Sequence, residues 1–79
     1  MKHLRWAIQW RSENRITGKS EFFTWERGVP VLFRTRKQAR KHIKQRYGYI
    51  ATTPSLKVEP HGWKMPRPMR VEVKFEQLA

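Results

Sequence analysis

The sequence contains no cysteine, which excludes disulfides, thiolate zinc sites and cysteine nucleophiles. It has no aspartate either; its six acidic residues are all glutamate. The commonest metal-binding and general-base carboxylate is therefore missing. No apolar run approaches the roughly 20 residues that span a bilayer. The segment Met1-Lys2-His3-Leu4-Arg5 is charged, but no apolar stretch follows it, so it does not read as a signal peptide. Together these absences predict a soluble intracellular protein.

What the chain does have is positive charge. Lys and Arg total 18, and the formal net charge is +12 on 79 residues. A single domain spanning 1–79 is expected, because two independent cores would not fit. A folded chain of 9.6 kDa exposes roughly 5,000 Å². Self-repulsion at that charge density costs stability, so an acidic partner is the natural explanation. Nucleic acid ranks first, an acidic protein surface second and an anionic membrane third. The apolar material is sufficient for one small core: 38% hydrophobic residues, including four Trp, four Phe and two Tyr.

Hydrophobic periodicity sets the expected elements. Leu4, Trp6, Ile8 and Trp10 alternate with His3, Arg5, Gln9 and Arg11, which predicts a strand over 3–11. Asn14 and Gly18 mark the turn that follows. A second strand is expected over 20–27; its adjacent Phe22 and Phe23 leave the inward face open. Gly28 and Pro30 mark a turn or bulge, and a short third strand covers 29–34. Thr35-Arg36-Lys37-Gln38 has the spacing of a capping box. It opens a helix over 36–47 with Ala39, Ile43 and Tyr47 as a narrow apolar stripe and Gly48 as its terminator. Residues 48–69 hold Pro54, Pro60, Pro66 and Pro68 and read as a packed loop. Within it, Thr53-Pro54-Ser55-Leu56 suits one helical turn capped by Thr53. Pro66-Arg67-Pro68 and Pro60-His61-Gly62-Trp63 suit either an extended ligand for another domain or a wrap that blocks pairing at a sheet edge. Alternation returns over 70–78 as a final strand, expected beside the first. The fold class is α+β: a three-stranded antiparallel meander, one basic helix on one face, and a C-terminal fourth strand added to the sheet.

The helix carries the main functional signal. Arg36, Lys37, Arg40, Lys41, Lys44 and Arg46 lie within eleven residues without an acid among them, and Arg34 makes seven cations between 34 and 46. Lys37, Arg40, Lys41 and Lys44 follow i, i+3, i+4, i+7 and share a face. A merely solvated helix face usually mixes signs, because like-charge neighbours there cost about 0.2–0.5 kcal/mol each. This pattern points to phosphate or an acidic partner. Arg5, Arg11, Arg15 and Lys19 are candidates to extend the positive surface. Aromatic residues on strands can stack bases, but most are needed for the core. Phe22 and Trp63 belong to no clear inward set and are the candidate aromatic contacts.

Catalytic readings fare worse. Gly18-Lys19-Ser20 mimics the end of a phosphate loop, but Glu13 stands where the first glycine should be and no helix follows. His3, His42 and His61 lack metal-ligand spacing. Glu72 and Glu76 read as charge neighbours of Lys74 and Arg70. The expectation is a protein that is not an enzyme, with no cofactor and no metal.

The strand Trp6-Ala7-Ile8-Gln9-Trp10-Arg11, the aromatic second strand and Phe33-Arg34-Thr35-Arg36-Lys37-Gln38-Ala39-Arg40 resemble the arm-type DNA-binding modules of phage-like tyrosine integrases. That resemblance covers residues 6–47. It implies three strands, then a helix, with the sheet on DNA. After Gly48 the chain departs from that pattern. Leu-Phe-Arg-Thr-Arg, Tyr-Gly-Tyr and Pro-His-Gly-Trp-Lys make the whole chain similar to small phage and prophage proteins, which implies a phage setting in the cytoplasm of a bacterial host.

The functional expectation is a small nucleic-acid-binding protein, for DNA or RNA, that grips the phosphate backbone through its helix. The alternative is a phage inhibitor that lays the same helix on a host protein or ribonucleoprotein, such as a CRISPR effector or RNA polymerase. A membrane-surface role ranks below both, since the apolar stripe is too narrow for stable insertion.

Overall fold

The computed structural model describes residues 3–74. It is an α+β fold with one helix and antiparallel sheets. The central strand β1 (His3–Asn14) pairs with β2 (Gly18–Phe23) and β5 (Leu32–Phe33) in a meander, and β6 (Trp63–Val73) is bonded to β1. Between β2 and β5 stands a small separate hairpin, β3 (Trp25–Glu26) and β4 (Val29–Pro30). Helix α1 (Arg36–Thr52) follows β5, and one 3₁₀ turn (Pro54–Leu56) leads toward β6.

The registers explain how so short a chain builds this sheet. β6 runs along one edge of β1 from His3 to Ser12. The other edge is shared: β2 takes Gln9 to Asn14, and β5 takes Trp6 and Ala7. β5 and β6 are both antiparallel to β1 and hence parallel to each other, with α1 as the crossover between them. The strands expected over 20–27 and 29–34 are each divided because the chain leaves the sheet at Thr24 and rejoins it at Val31. The Thr24 amide donates to Ile8 O at 2.9 Å and the Val31 amide to Thr24 O at 3.1 Å, closing the base of the excursion. Its turn is Arg27-Gly28, with φ of 51° and 79°. Two central residues at positive φ match the right-handed twist of a two-residue hairpin.

Three further expectations are corrected. The helix does not stop at Gly48 but continues to Thr52. A mid-helix glycine costs about 1 kcal/mol, whereas full burial of an isoleucine gains about 1.5–3 kcal/mol. Ile50, on the same side as Ala39 and Ile43, is fully buried and outweighs Gly48. The capping box forms as expected, with Gln38 N donating to Thr35 Oγ1 and Thr35 N donating to Gln38 Oε1. Thr53, by contrast, caps nothing with its side chain.

The last strand begins at Trp63, not near residue 70, so Pro66 and Pro68 lie inside a strand. β6 has only β1 as a strand partner among the described residues, and an edge strand tolerates proline where the missing N–H faces outward. Ile8 turns its carbonyl to Thr24 on the far edge. Its pair with Pro68 is therefore not hydrogen-bonded, and the proline nitrogen faces away from β1. Pro66 falls in a bulge where β6 carries an extra residue opposite the stretch between Gln9 and Arg11. The part of the expected final strand from Phe75 onward lies outside the described residues.

One face of the sheet is covered. Ile8, Ala39 and Ile43 form the core, with Trp6, Val31, Phe33, Tyr47 and Met65 packed round it. Side chains alternate across a strand, so Ala7 and its neighbours Leu32 and Met69 face the opposite side. The bulge carries Val71 and Val73 to that side as well, opposite Arg5 and His3. The chain is thin and long, 46 × 28 × 20 Å, and exposes 6584 Å², well above the roughly 5,000 Å² of a compact fold of this mass.

Candidate nucleic-acid interface

Helix α1 positions most of the candidate cations. At about 100° per residue, Lys37, Arg40, Lys41 and Lys44 fall on the side turned away from Ala39, Ile43 and Ile50, and all four are exposed. Arg34, just before the cap, is exposed too. Among the described residues, none of these five has an acidic partner. The ion pairs are Lys19–Glu21, Arg46–Glu26 and Lys64–Glu13. Arg46 is thus neutralised by the β3–β4 hairpin at 2.6 Å and stands apart from the cluster. Arg36 sits with its guanidinium carbon 5.9 Å from the centre of the Trp6 ring, a cation–π contact that ties the first turn to β1.

The placement along the helix works against helix stability. The macrodipole favours acids at the N-terminus and bases at the C-terminus. Here the first turn holds no acid and the last turn no base. Arg36 and Lys37 stand instead at the end where unpaired N–H groups already point outward. Cations and helix dipole add to one positive field, the arrangement that suits an anion such as phosphate.

Between β5 and α1 lies an open hollow of about 520 Å³, lined by Arg34, Lys41, Gln38, Gln45 and His42 above Phe33. It joins Arg34 to the helix cluster. The His42 ring lies 5.0 Å from that of Phe33, and its Nε2 is buried without a hydrogen-bond partner among the described residues.

The remaining candidates are not brought into this cluster. Arg5 and Arg11 occupy odd positions of β1 and face the side of the sheet away from α1. The Arg5 guanidinium donates to Leu4 O at 2.8 Å. Arg11 is half-buried and donates to Met65 O at 2.8 Å, serving a carbonyl at the bulge. Lys19 pairs with Glu21 at 3.2 Å. Arg15 is exposed on the β1–β2 turn, where its amide is held by the Glu59 carboxylate. Phe22 is 55% exposed and stacks on Trp10 with ring centres 6.3 Å apart. Trp63 is half-buried, edge-on to Trp10 at 5.3 Å, so it belongs to an aromatic cluster and is not a free platform.

Sequence reasoning missed Arg70. It is exposed and lies directly across from Trp6, the ring that Arg36 covers, so it adds a cation beside the first helical turn. Its signal was present in the alternation of the last strand, but the pairing partner was needed to place it. No protein-family model, curated protein or solved structure matches this chain. Among the described residues no group of His and Glu side chains has the arrangement of a metal site, and no helix is long and apolar enough to cross a membrane.

Proposed function

We propose that this protein binds nucleic acid by neutralising backbone phosphates with Arg34, Lys37, Arg40, Lys41 and Lys44, assisted by Arg36 and Arg70, in the phage setting that its motifs imply. The observation that carries the reading is five exposed cations, four on one helix and Arg34 just before its cap, without an acidic partner among the described residues. They repel one another and oppose the helix dipole, so folding alone does not account for them. The cluster offers point charges suited to phosphate and no evident base-reading set, so binding is expected to be weakly sequence-dependent. Several sheet cations are already engaged, Lys19 and Lys64 by acids and Arg11 and Arg67 by hydrogen bonds, whereas those of the helix face are not, so we take the helix as the contacting element, unlike the arrangement the integrase resemblance implies.

The test is a titration of labelled duplex DNA, single-stranded DNA and RNA at three salt concentrations. Five phosphate contacts on a duplex give a log–log salt slope of about −4.5. Affinity then falls by roughly 2.7 decades between 50 and 200 mM salt. Undetectable binding to all three probes at 50 mM salt overturns the proposal and transfers the cations to an acidic protein partner.

A further inference from the structure

The face of the sheet that α1 leaves uncovered holds an apolar groove of about 340 Å³. Its floor is Ala7, a small residue where the neighbouring odd positions of β1 carry Arg5 and Gln9. Leu32 of β5 rises on one side, and Val71 and Val73 of β6 on the other. Phe23 and Trp25 close it, and they are 40% and 63% exposed. Trp25 holds this position because the β3–β4 excursion lifts it off the sheet. The excursion is closed at Thr24 and Val31, and Glu26 anchors it to Arg46 of α1. The chain thus builds a braced hairpin that leaves its tryptophan in water.

We infer that this groove is a docking site for an acidic protein segment that inserts one bulky apolar side chain between Trp25 and Val71. The lining is apolar and offers little to hydrogen-bond, so the anchor is aromatic or aliphatic. The charge around it sets the flanks. Lys74 lies at the rim, Arg5 is paired opposite Val71, and Arg67 projects from the same face beside Gln9, against Glu72 at the rim and Glu21, which Lys19 already neutralises. The whole protein is +12, so acidic flanks are drawn in and basic ones rejected. A second copy of the chain fits poorly. It brings another +12, and the apolar area is a narrow cleft, whereas stable interfaces bury about 1,200–2,000 Å². The inference is independent of the proposed nucleic-acid site, which lies on the opposite face. Together they would make the chain a bridge between a nucleic acid and a protein.

The test is selection of random 12-residue displayed peptides on the full chain at 0.15 M salt, where charged flanks still contribute, with a 0.5 M salt wash that removes purely ionic binders. The expected winners carry Trp, Phe or Leu flanked by Asp or Glu. A synthetic winner should bind one to one. Its affinity should fall about tenfold or more when its anchor is changed to Ala, or when the protein carries Trp25→Ser or Phe23→Ser. Both positions are exposed, and circular dichroism checks that the fold is retained. Replacing Lys37, Arg40, Lys41 and Lys44 with Gln should leave peptide affinity within about threefold, because those charges lie on the other face. The inference is overturned if no peptide is enriched, if winners lack an apolar anchor or acidic flanks, or if Trp25→Ser leaves affinity intact. It is also overturned if sedimentation shows a dimer that Trp25→Ser dissolves, which makes a second copy the occupant. Peptide binding that begins only after removal of residues 75–79 would make the chain's own end the occupant.

Discussion

Replacing Lys37, Arg40, Lys41 and Lys44 together with Gln separates the cost of the helix charges from their use. These residues take part in five like-charge neighbour pairs at i, i+3 or i, i+4: 36–40, 37–40, 37–41, 40–44 and 41–44. At about 0.2–0.5 kcal/mol each, relief of the repulsion amounts to roughly 1–2.5 kcal/mol at low salt. Gln is about as good a helix former as Lys or Arg, so propensity does not reverse the sign. For a domain of this size, about 1 kcal/mol corresponds to roughly 4–8 °C in Tm. The variant should therefore melt at least a few degrees higher in low salt, with the gain shrinking as salt rises. On duplex DNA, only Arg34 of the five unpaired cations remains. The salt slope should become shallower by about 3.6, the share of four lost phosphate contacts, leaving what Arg34 and the assisting Arg36 and Arg70 supply. Scanning calorimetry and a salt-dependent binding titration on the same preparation read both effects. A lower Tm would mean that these side chains serve the fold. An unchanged slope with intact binding would mean that the contact lies elsewhere on the surface. Either result refutes the reasoning.

Other perturbations test the fold on which the site is built. Ile43→Ala, at a core position 6% exposed, should cost about 2–5 kcal/mol in urea unfolding while leaving nucleic-acid affinity intact wherever the variant is folded; loss of binding without loss of stability would mean that the helix is turned the other way. Gly48→Ala should stabilise by about 0.5–1 kcal/mol, because the residue is mid-helix and an added methyl meets open space. A loss there would restore the helix end that the sequence suggests at this position. Gly62→Ala should cost on the order of 3 kcal/mol, since its φ is +61° and a Cβ would fall on the Glu13 carbonyl; unaltered thermal melting would disprove that close approach of the two backbones.

The sequence by itself determined the local features. The Thr35–Gln38 box marks the helix start because its hydrogen bonds span only three residues. Asn14 and Gly18 mark the first turn for the same reason: Asn14 Oδ1 accepts from the amides of Ile16 and Thr17, and Gly18 takes φ of 75°. The alternation over β1 shows a strand, and the run of cations without acids shows a one-signed helix face, since periodicity alone reveals which side chains point together. What only the tertiary structure decided depends on partners distant in the chain. Ile50 carries the helix past Gly48 because the site that buries it is not encoded near residue 48. Pro66 and Pro68 can sit in a strand because, among the described residues, that strand pairs with β1 alone. Arg11 passes from a surface cation to a ligand of the Met65 carbonyl because the β6 bulge places that carbonyl within reach. The same bulge sends Val71 and Val73 to the face opposite α1, where alternation, which repeats every two residues, gives no means of choosing between the two sides of a sheet.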